Sequence, residues 1–207
     1  EPAEKIYREL LEEVPDNTRV VQALYSMLQG SGRAEEATSL LKDQIAKKPE
    51  SVTLNLMLAG ELEKANDIDG AIAVYEQLYA KDTGNLIIAN NLASLISSHR
   101  ADDQSLERAF AIARRLRGSD VPAFQDTYGW IEYRRGNLDE ALENLEPAAK
   151  GLPDDPLTQY HLGMVYLALE RKDDAKATLS RAVELAGDSP LPQFEDARKA
   201  LQGLATP

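Results

Sequence analysis

The stretch LGMVYLALERKDDAKATLSRA, residues 162–182, decides the fold. Small and apolar residues recur in it at steps of three or four: Gly163, Tyr166 and Leu169, then Ala175, Leu179 and Ala182. Such steps bring side chains to one face of an α-helix, and a short polar break separates the two series. The stretch therefore predicts two helices joined by a short turn.

A period of 34 residues repeats this helix pair along the chain. Several residue types recur at that lag: Ala3, Ala37 and Ala71; Leu24, Leu58 and Leu92; Ala141 and Ala175; Gly129 and Gly163; Pro15 and Pro49. Chance alignment of several residue types at one lag is improbable. Proline with Asp, Asn or Ser marks the junctions between pairs, because proline stops one helix and the polar side chain caps the next.

The smallest residues of each pair are expected where its two helices approach most closely. On the first helices these are Ala59, Ala93, Gly129 and Gly163, and on the second helices Ala37, Ala71, Ala141 and Ala175. Enlarging Ala141 or Gly163 should overpack such a contact.

These motifs resemble the tetratricopeptide repeat (TPR) family. Its pattern of Leu-Gly-x-x-Tyr, then Ala-x-x-x-Phe-x-x-Ala, then Pro, is matched in two repeats: by Leu162, Gly163, Tyr166, Ala175, Leu179 and Ala182, and by Tyr128, Gly129, Ala141, Leu145, Ala148 and Pro153. The resemblance covers nearly the whole chain. It implies an all-α fold, a right-handed α-solenoid of antiparallel helix pairs, with about 5.5 TPR units and a C-terminal capping helix.

We expect a single TPR array over residues 1–207. Its predicted segments are the second helix of a truncated repeat at 1–17, five repeats at 18–51, 52–85, 86–121, 122–155 and 156–189, and the capping helix at 190–207. The first segment has second-helix spacing without a first helix, so we expect a fragment of a longer protein; a natural half-repeat that caps the array is the alternative. The third repeat departs from the period, with a long turn expected at Ser97–Asp103 and a second helix ending at Gly118.

The composition argues against several classes of function. The net charge of −12 disfavours nucleic-acid binding, and the absence of cysteine excludes thiolate metal sites and Cys nucleophiles. The two histidines, His99 and His161, fall in different repeats, and no catalytic or phosphate-binding motif is present. No apolar run approaches a membrane span. We therefore expect no enzymatic activity, no cofactor, no metal and no direct membrane insertion.

In TPR proteins the first helices of successive repeats line a concave groove, and the resemblance carries that groove to this chain. The expected groove residues are Asn90, Asn91, Ser94, Asp126, Trp130, Tyr133, Arg134, Tyr160, His161 and Met164. An aromatic patch rimmed by polar side chains has the composition of an interaction hot spot. Two interpretations of Trp130 remain open: exposure on the groove, or burial between helices with its N–H bonded to a neighbour such as Asp126.

The resemblance implies a non-catalytic scaffold that binds a peptide or protein segment in the groove. The stretch from Asp126 to Ala141 also resembles C-terminal TPR units of bacterial lipoproteins associated with exopolysaccharide export and exosortase systems. This implies a role in a bacterial assembly or envelope complex, with a periplasmic or cytoplasmic location left open. The alternative is self-association as a homodimer, through an unpaired N-terminal helix that presents Ile6, Leu10 and Val14.

Overall fold

The computed structural model describes residues 2–15 and 17–205, so the predicted segments 1–17 and 190–207 include residues outside the described part. The described chain is all-α, and its helices pack as consecutive pairs, which confirms the predicted fold class. In chain order the helices are α1 Pro2–Glu13, α2 Thr18–Gly30, α3 Ala34–Lys47, α4 Val52–Lys64, α5 Ile68–Lys81, α6 Leu86–His99, α7 Asp103–Ala113, α8 Pro122–Arg134, α9 Leu138–Gly151, α10 Pro156–Ala168, α11 Lys172–Ala186 and α12 Pro192–Ala205. The even-numbered helices are called A helices below and the odd-numbered ones B helices.

Short polar side chains start most of the A helices, as the junction residues predicted. Asn85 Oδ1 accepts from the backbone N–H of Ile87 at 3.1 Å, and Asp155 Oδ2 accepts from that of Thr158 at 2.7 Å. Each bond satisfies an amide that has no partner within its own helix. The cap therefore fixes where each A helix begins, and with it which side chains face the neighbouring helices.

Four of the turns between an A helix and its B helix contain a residue in the left-handed region. These residues are Gly32 (φ 77°), Asn66 (φ 58°), Gly136 (φ 83°) and Glu170 (φ 57°). Glycine and asparagine adopt this conformation at low cost, whereas glutamate does not. The turn geometry is thus common to the repeats, and Glu170 holds it despite an unfavourable side chain.

The third repeat differs from its prediction. The expected long turn at Ser97–Asp103 is wrong, because α6 continues through His99 and only three residues separate it from α7. Asp102 starts α7 by accepting from the N–H of Ser105 at 2.9 Å. The irregular segment follows α7 instead, since that helix ends at Ala113 rather than near Gly118, and Gly118 has a φ of 75°.

The chain divides into two compact modules, the first ending at Asp82 and the second beginning at Thr83. In the first module, α2 to α4 enclose a core of fully buried side chains: Leu24, Leu28, Leu41 and Leu54. The helix α1 packs on α2 but has no buried residue of its own, and Ile6 is 54% exposed. The first module thus has a well-packed centre and a loosely covered first helix.

In the second module, α6 packs on α8, α8 on α10, and α10 on α12, while α7, α9 and α11 return the chain between them. Small residues lie at the close approaches, as predicted. A Cβ on Gly129 would lie 2.8 Å from Leu145 Cγ, and Ala141 and Ala175 are fully buried. This packing sets four A helices side by side and positions the groove residues. Among the described residues, no helix is long and apolar enough to cross a membrane.

Candidate interaction groove

The second module brings four of the expected groove residues into one cluster of rings. The indole of Trp130 on α8 stacks on the imidazole of His161 on α10, with ring centroids 4.1 Å apart and planes at 18°. The Tyr133 ring lies 4.9 Å from the indole at 19°, and the Tyr160 ring lies 5.7 Å away. We call Trp130, Tyr133, Tyr160 and His161 the aromatic cluster. It joins two neighbouring A helices through stacking that adds to simple area burial.

Trp130 is neither fully exposed nor fully buried. Its side chain packs against a core that includes Tyr160, Leu179 and Phe194, while part of the ring stays accessible. The bond to Asp126 that the burial interpretation of Trp130 allowed is absent from the described residues, where Asp126 contacts His161 instead. Trp130 therefore acts as a wedge between α8 and α10 that keeps one edge toward solvent.

Asp126 Oδ1 lies 2.9 Å from His161 Nδ1, which links the same two helices. His161 is 6% exposed, so this contact supplies a partner for a buried imidazole nitrogen. When the ring is neutral, its Nδ1–H donates to the carboxylate and leaves Nε2 as an acceptor. The pair fixes the plane on which Trp130 stacks.

Three polar groups of the aromatic cluster remain available. Among the described residues, no hydrogen bond engages the Trp130 N–H or the hydroxyl groups of Tyr133 and Tyr160, and none of these atoms is enclosed. Burial, with the charge of Asp196 adding, raises the pKa of Tyr160 to about 12, and burial raises the pKa of Tyr133. Both hydroxyl groups are therefore neutral donors at physiological pH.

The polar residues of α6 form a separate group. Asn90, Asn91 and Ser94 are half-buried, and Asn90 Nδ2 donates to Asn91 Oδ1 at 3.2 Å. The Asn90 Oδ1 atom is buried without a hydrogen-bond partner among the described residues. This group lies on α6, one A helix before α8, which carries Trp130 and Tyr133.

Arg134 is engaged within the protein. Its Nη1 atom donates to the carbonyl oxygen of Ser97 and, at 2.8 Å, to that of Arg100. These bonds tie the end of α8 to the end of α6 and satisfy carbonyl groups that have no helical partner. Arg134 therefore holds two A helices together and is not an unpaired cation. Met164 is half-buried and packs on the same core as Trp130.

Two residues of this region escaped the sequence reasoning. Phe194 on α12 is 1% exposed and packs in the core beneath the cluster, and Leu157 on α10 packs there as well. The period contained the signal for Phe194, which lies 34 residues after Tyr160. Because α12 closes the array, its sequence predicts a capping helix, whereas the structure packs Phe194 into the core beneath the cluster.

A cleft of about 540 Å³ lies among α7, α8 and α9, away from the expected groove residues. Glu132 in its wall is 3% exposed and accepts from Asn137 Nδ2 at 2.6 Å and from Arg135 Nη1 at 3.0 Å. The Arg135 guanidinium lies 3.5 Å from the centre of the Phe110 ring. These bonds give the cleft a structural role in joining three helices. Within the described ranges, no group of three or more His, Cys, Asp and Glu residues could hold a metal ion.

Comparisons with known proteins agree with a fold of repeated helix pairs. A family model described as "Tetratricopeptide repeat" matches residues 133–201. A TPR repeat-containing protein of Pseudomonas aeruginosa is 27% identical over 136 residues, which are 66% of this chain and 23% of that protein. Cellulose synthase operon protein C of Pseudomonas fluorescens is 22% identical over 168 residues, 78% of this chain and 13% of that protein. The chain thus spans less than a quarter of the length of these relatives.

Among solved structures, YrrB, described as a TPR protein with an unusual peptide-binding site, superposes with a TM-score of 0.60 at 15% identity. The match covers 93% of this chain and 97% of YrrB. At 15% identity, this similarity shows a shared fold and nothing further.

Proposed function

Because this chain is a tetratricopeptide-repeat protein, we propose that it is a non-catalytic scaffold that binds a peptide or protein segment along the A helices of its second module. The observation that carries the proposal is the aromatic cluster: a half-buried indole and two tyrosines with unused polar groups, seated on a packed core. Rigid aromatic anchors of this kind supply much of the binding energy at protein interfaces.

The residues proposed to form the binding groove are those expected from the sequence: Asn90, Asn91, Ser94, Asp126, Trp130, Tyr133, Arg134, Tyr160, His161 and Met164. Their roles differ. The accessible edge of Trp130 and the side chain of Met164 offer apolar contact, and the hydroxyl groups of Tyr133 and Tyr160 offer donors to the carbonyl groups of the segment. Asp126 and Arg134 have positioning roles: Asp126 orients His161, and Arg134 binds the end of α6.

The relative from a cellulose synthase operon supports the finer proposal that the scaffold serves a bacterial envelope or polysaccharide-export assembly. The chain covers 13% of that relative, so partners within such an assembly are likewise proposed for this chain. We place the protein in the periplasm, in association with the envelope or in the cytoplasm of a bacterium, and assign it no cofactor.

A capture experiment tests the groove. The chain is immobilised, exposed to a bacterial extract, and compared with Ser94→Glu and Trp130→Phe, which change half-buried groove positions with little loss of packing. Ser180→Glu, at an exposed position of the B helix α11, is the matched control. We expect the same partner to be captured by wild type and by Ser180→Glu and to be lost with both groove variants. Equal capture by all four proteins would contradict groove binding.

Self-association through α1 is the second candidate function. The structure favours it through one observation: α1 has no buried residue, Ile6 is 54% exposed, and Val14, which directly follows the helix, is 46% exposed. An apolar helix face of this kind can pair with a second copy. Sedimentation or light scattering over a range of concentrations should show a dimer that Ile6→Glu dissociates. A strict monomer at high concentration would eliminate this candidate.

A further inference from the structure

The exposed large apolar side chains of the second module share one location. Within its described residues they are Leu86 (39% exposed), Ile87 (56%), Val121 (41%) and Leu191 (38%). Leu86 and Ile87 begin α6, Val121 caps α8, and Leu191 immediately precedes α12. All four therefore lie where an A helix begins, and we call them the amino-terminal edge.

Helix packing makes this edge continuous. The helices α6, α8, α10 and α12 contact one another in that order, and the B helices return the chain between them, so their first residues fall on one side of the module. Leu157, the second residue of α10, is half-buried and fills the place between α8 and α12. With neighbouring helix axes about 8–10 Å apart, three spacings make a row about 25–30 Å long.

The repeat itself does not require an apolar residue at the position of Ile87. Thr53 and Arg19 stand 34 and 68 residues before Ile87, at the same register of the first module, and both are polar. The preceding position is apolar and exposed in both modules, at Leu86 and at Val52 (40% exposed), which stands 34 residues earlier. Ile87 is more than half exposed, so packing within its own module does not account for an apolar residue there. A row of exposed apolar side chains on one edge marks an interaction surface.

The charges around the edge favour a cationic partner. Asp120, Asp154 and Asp188 lie in the three loops that precede α8, α10 and α12, and Glu195 follows in the first turn of α12. Two nearby cations have partners within the protein: Arg181 pairs with Asp154 at 2.8 Å and with Glu184, and Arg115 donates to the Thr83 carbonyl oxygen at 2.6 Å. Arg114 and Lys150, at the ends of the helices before α8 and α10, are exposed, so the acidic excess lies at the α12 end of the edge, at Asp188 and Glu195.

We infer that the amino-terminal edge docks an amphipathic helix of a partner protein whose leucine-type side chains are flanked by Lys or Arg. Apolar residues of the helix cover Ile87, Val121 and Leu191, and its cations meet the loop aspartates, which gives orientation and selectivity. A row of this length corresponds to a helix of about 18 residues. The surface is distinct from the aromatic cluster, so it serves a second contact beyond the groove.

Two synthetic peptides test the inference by fluorescence anisotropy. Each is a labelled helix of about 18 residues with Leu on one face, and the other face carries Lys in one peptide and Glu in its counterpart. Wild type is compared with Val121→Ser/Leu191→Ser, and Val52→Ser, which removes a comparably exposed apolar residue of the first module, is the control. Circular dichroism confirms that both variants are folded.

We expect the Lys peptide to bind wild type and the control variant alike, and to bind the edge variant at least about tenfold more weakly, with the Glu peptide weaker still on wild type. Equal binding of the two peptides, equal binding by the edge variant, or no binding of either peptide would overturn the inference. Trp130→Phe separates the two surfaces: it should leave the Lys peptide bound, and loss of binding would place the peptide in the groove and not on the edge.

Discussion

Gly163 of α10 faces Leu179 of α11 so closely that a Cβ on the glycine would lie 2.6 Å from Leu179 Cδ2 and 3.2 Å from the Leu179 backbone nitrogen. Gly163→Ala should therefore force the helix pair apart and lower the free energy of unfolding by about 1–3 kcal/mol. Urea unfolding followed by circular dichroism measures the change.

The matched control for that substitution is Gly60→Ala in α4. A Cβ at Gly60 meets nothing within 4 Å, so alanine should stabilise the helix by about 0.5–1 kcal/mol through its higher helix propensity. If both substitutions shift the urea midpoint in the same direction, close packing at Gly163 is not the cause.

Asp126 and His161 should be energetically coupled. Removing either partner leaves the other without its hydrogen bond in a poorly hydrated place, so each alanine substitution should cost about 1–3 kcal/mol. The double substitution should cost less than the sum, with a coupling of about 1 kcal/mol in a double-mutant cycle. Asp126→Ala combined with Arg181→Ala, a distant surface change, should be additive. Additivity in both cycles would show that the 2.9 Å contact has no energetic weight.

Trp130→Ala should destabilise the second module. The side chain is half-buried and stacks on His161, so its loss should cost about 1–3 kcal/mol, less than the 3–5 kcal/mol typical of a fully buried Trp. Trp130→Phe should recover most of that loss, because a ring still fills the space. Helicity without denaturant should stay nearly constant in both variants, and a urea midpoint unchanged by alanine would indicate that the indole lies free on the surface.

Glu170→Gly should stabilise the protein. Glu170 holds a φ of 57°, and relief of this strain exceeds the entropic cost of glycine, for a net gain of about 0.5–1 kcal/mol. Gly136→Ala, at the equivalent turn 34 residues earlier, should have the opposite effect, because its φ is 83°. Thermal unfolding of both variants provides the comparison, and a lower midpoint for Glu170→Gly would refute the strain argument.

Acid should weaken the attachment of α1. Hydrogen bonds from Arg33 and then Arg8 lower the pKa of Glu4 from 4.5 to about 2. A carboxyl group with a lowered folded-state pKa stabilises the protein above its unfolded value, and the contribution disappears as the pH falls from 4.5 toward 2. The difference in urea midpoint between wild type and Glu4→Gln should therefore be constant near neutral pH and vanish near pH 2. Glu12→Gln, at an exposed position of the same helix, should show no such pH-dependent difference.

Most features of the fold can be predicted from regular local patterns in the sequence. The helix pairs, their polar caps and the close contacts at Gly129 and Gly163 follow from spacing and residue size, which act over a few residues or one repeat. The helix boundaries of the third repeat differ from those that the sequence predicts. The polar run from Ser97 to Asp103 predicts a long turn, yet α6 continues through His99, because Ser97 is buried and its helix packs against α8. Tertiary packing overrode the local preference there.

The proximity of the aromatic residues follows from the repeat, but their hydrogen-bond partners do not. Trp130, Tyr160 and His161 were expected to lie together, and they do. The partner of Asp126 was not foreseen, since it stands 35 residues away, and neither was the role of Arg134, whose two carbonyl partners lie on another helix end. Pairings of this kind depend on the distance between helices, which a periodic pattern leaves undefined.

The sequence by itself determined that this protein is a series of helix pairs with small residues at their contacts, because period and residue size are local properties. Only the tertiary structure decided how far the Trp130 ring is buried, which polar groups are already paired, and that the apolar residues at the starts of α6, α8 and α12 form one edge. These features depend on which atoms of separate helices occupy the same space, and that is settled only when the helices pack.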